Sequence, residues 1–432
     1  MKTFTLCNGQ VLTSGGLKKT NVIIEDGKIS SIVEGESRGE KIDCTGLYVL
    51  PGFRDQHLHD LPSCLSGLNV DKVGRIAASL AKHGVTSAKL ATIAMPRNKL
   101  IKYVETVRDY MLSPRNGVDG ARIDGVNVEG TFIRRECGGA QPREYIVEPW
   151  MPEAKPLLED LVAVGGVKLV NIVADFGSDL IEYASSMGFI VGCGHSKASA
   201  KQLEEAYKKG LKYIVHVTNG SMGQSFKPFE GGGTYEGALT LPLFIEIIVD
   251  GYHVDMRYVS DIIERKIQKG LGNKLIAVTD ASFIVEEEIP RGGFQILSVV
   301  GYKPPDENVL FVKKFLDVDG EWKEPAKNTL FGSLLTMDKA FENLLNLFTV
   351  DHEGFMIDAK ARGFVEALKI ASDMTSHNQA ILEGLNNVGY IAEGCVADLV
   401  VLDISGKPGK YNVKVVKTIV NGNLHDFSET RS

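Results

Sequence analysis

Leu47-Tyr48-Val49-Leu50-Pro51-Gly52-Phe53-Arg54-Asp55-Gln56-His57-Leu58-His59 couples an apolar run to an H-x-H motif. The apolar run Leu47–Leu50 reads as the start of a buried strand. Alternate residues of a strand point the same way, so His57 and His59 should share one face at its C-terminal end. Two imidazoles so placed can share a divalent metal ion. A tripeptide carries little weight alone; it gains weight when further ligand-type residues close later strands.

Downstream, strand-like apolar runs alternate with helical stretches. The strand candidates end near His59, Lys89, Glu129, Asp175, His195, His216, His253 and Asp280, with helical segments such as Ala200–Tyr207 between them. Eight such units predict a (β/α)8 TIM-like barrel, whose active sites form at the C-terminal ends of the strands. An open doubly wound sheet is the runner-up, but no G-x-G-x-x-G follows the first strands. The flanks read differently. Phe4-Thr5-Leu6 ends in Asn8-Gly9, and Asn21–Ile24 turns at Asp26-Gly27 into Ile29–Val33. Ala397–Leu402 and Val413–Val420 are strands, the second closed by Asn421-Gly422. Asp-Gly and Asn-Gly supply the positive φ that type I′ hairpin turns require. Both termini should therefore form one small β-sandwich domain, residues 1–50 and 385–432, beside a catalytic barrel of residues 51–384.

Composition narrows the function. The 432 residues are 44% hydrophobic and 24% charged, the balance of a globular protein with a sizeable core. A net charge of −7 gives no clustered cations for phosphate backbones, so nucleic acid is not the expected partner. No stretch reaches the ~20 apolar residues of a spanning helix, and the N-terminus lacks the apolar core of a signal peptide. Six scattered cysteines without C-x-x-C spacing read as reduced thiols, and a cytoplasmic setting is expected. Cys193 is read as a small buried thiol, and His83, His352, His377 and His425 as residues without functional partners.

The candidate ligands are His57, His59, Glu129, His195, His216 and Asp280, each at a strand end. Any one histidine is more simply a packed or surface residue; the full set on successive strands is not explained that way. Imidazoles and a carboxylate can hold a Zn²⁺-like ion that lowers the pKa of water from about 15.7 to roughly 7. Asp280 can then take the water's proton and return it to a leaving amine, or serve instead as a further ligand or helix cap.

These residues resemble the amidohydrolase superfamily, and within it the N-acetylglucosamine-6-phosphate deacetylase family. The resemblance rests on Val128-Glu129-Gly130, Gly194-His195-Ser196, His216 with Asn219, Asp250–Val254, Val278-Thr279-Asp280-Ala281 and Gly332–Met337, and it extends to Gly394–Val400. It implies a homodimer in which Glu129, His195 and His216 bind the principal metal and Asp280 is the acid/base. It further implies that Asn219, the Gly220 backbone and His253 contact a sugar. Zn²⁺ is the expected ion, one or two per subunit, because His57 and His59 are present where some members lack the pair. Lys168 opens its strand, which argues against a carboxylated bridging lysine.

Two positions depart from the family. Gln141 stands where a histidine near the substrate carbonyl is usual; an amide can donate to an oxyanion but carries no charge. Lys227 replaces an arginine that reaches a neighbouring subunit's substrate phosphate, keeping the charge and losing the bidentate fork. The segment from Phe283 to Leu330 is also longer and hairpin-like. The expected activity is deacetylation of an N-acetylated amino sugar, N-acetylglucosamine-6-phosphate or a related hexosamine phosphate. The alternatives are hydrolysis of another N-acyl or ester substrate without phosphate, and a non-catalytic barrel scaffold.

Overall fold

The structure is a computed structural model that describes residues 3–220 and 231–429. Its first five strands are β1 (Thr3–Thr13), β2 (Gly16–Glu25), β3 (Lys28–Val33), β4 (Glu40–Asp43) and β5 (Tyr48–Pro51). Eight barrel strands follow: β6 (Phe53–His59), β7 (Val85–Thr92), β8 (Arg122–Phe132), β9 (Val167–Ile172), β10 (Ile190–Cys193), β11 (Leu211–Ile214), β12 (Phe244–Ile248) and β13 (Leu275–Val278). Then come β14 (Gly293–Ile296), β15 (Val299–Tyr302), β16 (Val309–Leu316), β17 (Trp322–Lys323) and β18 (Leu330–Ser333), and finally β19 (Leu399–Lys407), β20 (Lys410–Val420) and β21 (Asn423–Asp426).

Strands β6 to β13 pair in chain order, all parallel. The ring closes where Asp280 N donates to His57 O at 2.9 Å and His59 N to Ala281 O at 2.6 Å. Helices fill the connections because their sequences are amphipathic. Val70–Lys82 buries Val73, Ile76, Ala77 and Leu80, at the spacing of one helical face, and Asn69 caps it by accepting from Lys72 N at 2.8 Å. Ala200–Lys208 starts from a capping box of Ser199 with Gln202 and buries Ala200, Leu203 and Ala206.

Both termini join in one mixed sheet, in the order β21-β20-β19-β5-β1-β2-β3 with β4 alongside β1. This sheet has a core of its own, including Phe4, Leu6, Val22, Ile24, Leu399 and Ile419. Its hairpin turns are those expected: Asp26 and Gly27 have φ of 52° and 79°, and Asn421 and Gly422 have 49° and 76°. Two local expectations fail. Asn8-Gly9 does not end β1; Asn8, at φ 63°, makes a register shift inside a strand that continues to Thr13. The run Leu47–Leu50 does not lead into the barrel strand either. It forms β5, which pairs with β1 and β19 in the terminal sheet, and the barrel strand begins at Phe53.

The segment between β13 and the helix Met337–Phe348 is an antiparallel insertion, in which β14, β15, β16 and β17 pair in turn and β18 returns against β16. It re-enters the barrel mouth at Ser333, whose N–H donates to Asp280 O at 3.0 Å.

Candidate metal centre and active site

Three barrel strands end two residues before a site residue: β10 before His195, β11 before His216 and β13 before Asp280. All three residues have positive φ, at 55°, 24° and 48°. L-residues avoid that region, and here it marks a sharp turn at the barrel mouth. Glu129 lies within β8, and His57 and His59 lie on β6, whose two-residue spacing brings both rings to one carboxylate. His59 Nε2 is 3.2 Å and His57 Nε2 is 3.6 Å from Asp280 Oδ1.

Around Glu129 Oε1 sit His195 Nε2 at 2.7 Å and His216 Nε2 at 3.2 Å. Two overlapping groups have the spacing of a metal site: His57 with His59 and Asp280, and His57 with Glu129 and His216. All six candidate ligands are buried.

The surroundings orient these rings as ligands. His195 Nδ1 donates to Cys137 O at 2.7 Å, which leaves Nε2 as the acceptor atom facing Glu129. His57 Nδ1 is 3.0 Å from Glu246 Oε2, and its buried Nε2 has no hydrogen-bond partner among the described residues. His59 Nδ1 and His216 Nδ1 are likewise unsatisfied among the described residues. A buried imidazole nitrogen with no partner is costly unless a cation takes its lone pair, so the donor set fits a divalent ion.

The charges within the cluster are set by one another. Burial disfavours charge on His57, but the Glu246 carboxylate outweighs it and raises the ring to about 10. A cation at Nε2 competes with that proton. Burial also opposes the charge on Glu129, yet His195 and His216 hold its carboxyl well below the usual range. For Asp280, burial is again outweighed, by the hydrogen bond from His59 and the charges of His57 and His59, and the carboxyl is held low. Asp280 is therefore ionised.

The ligands open into a cavity of about 530 Å³, lined by His59, Glu129, His195, His216, His253 and Asp280 among others. Asn219 and Gly220 also line it, and Asn219 Nδ2 has no partner among the described residues. Gly220, at φ 64°, passes so close to His195 that a Cβ would lie 2.3 Å from Nδ1; a side chain does not fit. Gln141 is at the wall, but its amide is largely engaged. Nε2 donates to Glu129 Oε2 at 2.5 Å and Oε1 accepts from Ala94 N at 2.9 Å, so one N–H remains for a substrate.

His253 does not close a strand as expected. β12 ends at Ile248, and His253 sits in the following loop, its Nδ1 2.7 Å from Asp250 Oδ2 and its Nε2 4.0 Å from Asp280 Oδ2. Lys89 lies within β7 rather than at its end, and Asp175 lies just beyond β9. Lys227 lies outside the described residues. Lys168 is exposed at the start of β9, and Cys193 is buried in β10. His83 does have a partner, Asp338 Oδ1 at 3.1 Å.

Glu246 was not anticipated. It is fully buried in β12, accepts from Gln56 Nε2 at 2.7 Å and from His216 N at 3.2 Å, and faces His57. The signal was present in Leu243-Phe244-Ile245-Glu246-Ile247-Ile248-Val249, where one carboxylate interrupts an apolar run. A buried charge is expensive unless it is paired, so such a residue marks a site.

A parallel eight-stranded barrel with a buried histidine and carboxylate cluster at its strand ends, and a sheet built from both termini, has the form of the amidohydrolase superfamily. Within it, the chain is a homologue of the N-acetylglucosamine-6-phosphate deacetylases. It is 26% identical to the deacetylase of Lysinibacillus sphaericus over 408 residues, 91% of this chain and 92% of that one. It is 26% identical to the human enzyme over 447 aligned positions, 98% of this chain and 94% of that one. The deacetylase structure from Pasteurella multocida shares the fold, with a TM-score of 0.77 at 22% identity, covering 98% of this chain and all of the other. No protein-family model matches the chain. No helix among the described residues is long and apolar enough to cross a membrane.

Proposed function

We propose that the protein removes the acetyl group from an N-acetylated amino sugar, N-acetylglucosamine-6-phosphate or a related hexosamine phosphate. The observation that carries this reading is Asp280, an ionised carboxylate at the cavity wall within 4.0 Å of His57, His59 and His253 and beside the Glu129, His195 and His216 cluster. The curated relatives are deacetylases of that substrate by name, at full length. His57, His59, Glu129, His195 and His216 would hold the cation, with Zn²⁺ as the expected ion. A divalent ion there supplies Lewis-acid polarisation of the substrate carbonyl and activates water.

The chain's own groups do the rest. Asp280 accepts a proton from the attacking water through its carboxylate and delivers it to the amine nitrogen as the C–N bond breaks, releasing acetate and the free amino sugar. His253, fixed by Asp250, and the free amide of Asn219 are positioned to hold sugar hydroxyls. The remaining N–H of Gln141 can donate to the carbonyl oxygen as negative charge develops.

A second reading, hydrolysis of an N-acyl substrate without phosphate, draws on Gln141, whose neutral amide makes the carbonyl pocket unlike the family's. Metal analysis combined with assays of N-acetylglucosamine-6-phosphate, N-acetylglucosamine and N-acetylated amino acids tests both. Acetate release from the sugar phosphate at a rate that tracks metal content is expected. A metal-loaded protein inert on both sugars overturns the proposal.

A further inference from the structure

The loop after β8 already serves the metal-ligand cluster twice, through Cys137 O on His195 and Gln141 on Glu129. Two residues beyond Gln141, Arg143 lines the same cavity. Its guanidinium lies over the ring of Phe315, a residue of the inserted strand β16, with Cζ 3.7 Å from the ring centroid. Its Nε is buried without a hydrogen-bond partner, and no carboxylate among the described residues forms an ion pair with it.

Its neighbours are engaged. Arg134 pairs with Asp175 at 3.2 Å, Arg135 donates to Ile146 O at 3.3 Å, and Lys197 pairs with Glu136. Of the nearby carboxylates, Glu144 accepts from Ser298 at 2.8 Å and Asp317 pairs with Lys323 at 2.6 Å, while Glu324 of the insertion also lines the cavity but forms no ion pair with Arg143. Arg143 is thus the unpaired Lys or Arg side chain of the cavity among the described residues. A half-buried guanidinium held flat by an aromatic ring has lost hydration and rotamer freedom without gaining an anion. A bidentate oxyanion would satisfy it.

We propose that Arg143 is a specificity-determining residue that binds an oxyanion substituent of the substrate, phosphate or carboxylate, with Phe315 fixing its plane. The inference rests on the deacetylase reading for the substrate's identity but not for the anion contact itself. It supplies a cation from the same chain, independent of Lys227.

The test compares wild type, Arg143→Ala and Arg143→Lys on N-acetylglucosamine-6-phosphate, N-acetylglucosamine and an N-acetylated amino acid. Arg143→Ala should lose about tenfold to a hundredfold in kcat/KM on whichever anionic substrate is used, mainly through KM, and change far less on the uncharged sugar. The lysine variant should recover part of the loss. The phosphate and carboxylate arms identify which oxyanion is read. Equal losses on charged and uncharged substrates, or no loss, overturn the inference and leave Arg143 as a packing partner of Phe315. A second measurement does not need turnover: inorganic phosphate and acetate are titrated calorimetrically into metal-loaded wild type and Arg143→Ala. Weaker binding to the variant upholds the anion site even if no sugar is deacetylated. Equal binding, or none, rejects it even if the sugar is.

Discussion

Asp280 faces His57, His59 and His253, so its replacement separates acid–base work from metal binding. Asp280→Asn keeps the shape and removes the proton acceptor; turnover should fall by about 10²- to 10⁴-fold while most of the metal remains. A near-normal rate at full metal content would exclude the role. His195→Ala or His216→Ala should instead lose metal and activity together, as read by elemental analysis of the purified variants. Glu246 touches no substrate-facing atom, yet it holds His57 Nδ1. Glu246→Gln should weaken metal retention roughly 10- to 100-fold in a chelator competition, with little change in fold by circular dichroism. At this scale the ligand residues were legible because histidines and carboxylates stood at strand ends. Glu246 and Arg143 were missed for opposite reasons: one sits inside an apolar strand, and the other opens a single 3-10 turn, Arg143–Tyr145, and its partner, Phe315, is 172 positions away in the sequence.

At the scale of elements, the two I′ turns and the strand–helix alternation could be read directly, because each depends on local backbone chemistry. The split between β5 and β6 could not. Tyr48–Pro51 and Phe53–His59 read as one extended run, and only tertiary pairing assigns the first to the terminal sheet and the second to the barrel. Likewise β1 carries a bulge at Asn8 where the local pattern reads as a turn, because pairing with β2 resumes at Gly9. The two hairpin turns meet: a Cβ on Gly422 would lie 2.6 Å from Gly27 Cα, and Gly422 already has positive φ. Gly422→Ala should therefore destabilise the protein by about 1 kcal/mol or more, measured by urea unfolding, with metal content unaffected in the folded fraction. Unchanged stability would show that the two turns separate freely.

On the scale of the whole molecule, the end of the barrel away from the ligands is closed by buried charge. Arg54 and Lys89, from β6 and β7, each bridge Asp124 and Glu383, at 3.1 and 2.7 Å and at 2.9 and 2.8 Å. Burial pushes the Asp124 carboxyl up, but Lys89 and Arg54 outweigh it and hold it at about 2, below the ordinary 3.8. A depressed carboxylate stabilises the fold above its unfolded pKa and loses that contribution as pH falls through its folded value. Removing one partner strands the other charges, so Asp124→Asn should cost about 3–5 kcal/mol near neutral pH. The wild-type advantage should shrink as pH falls from 3.8 towards 2. Denaturant midpoints of both proteins between pH 6 and the acid limit, about 3, check the sign. An advantage that grows on acidification would contradict it.

The antiparallel insertion leaves the barrel after β13 and returns beside Asp280 without contributing any candidate ligand. The insertion therefore shapes one wall of the cavity, through Phe315 and the stretch ending at Phe331, while Gln141, Arg143, Asn219 and His253 line it from loops of the barrel. A chimera carrying residues 284–329 of a relative should bind its metal as before and shift its preference among N-acyl compounds, leaving the contacts made by the barrel loops in place.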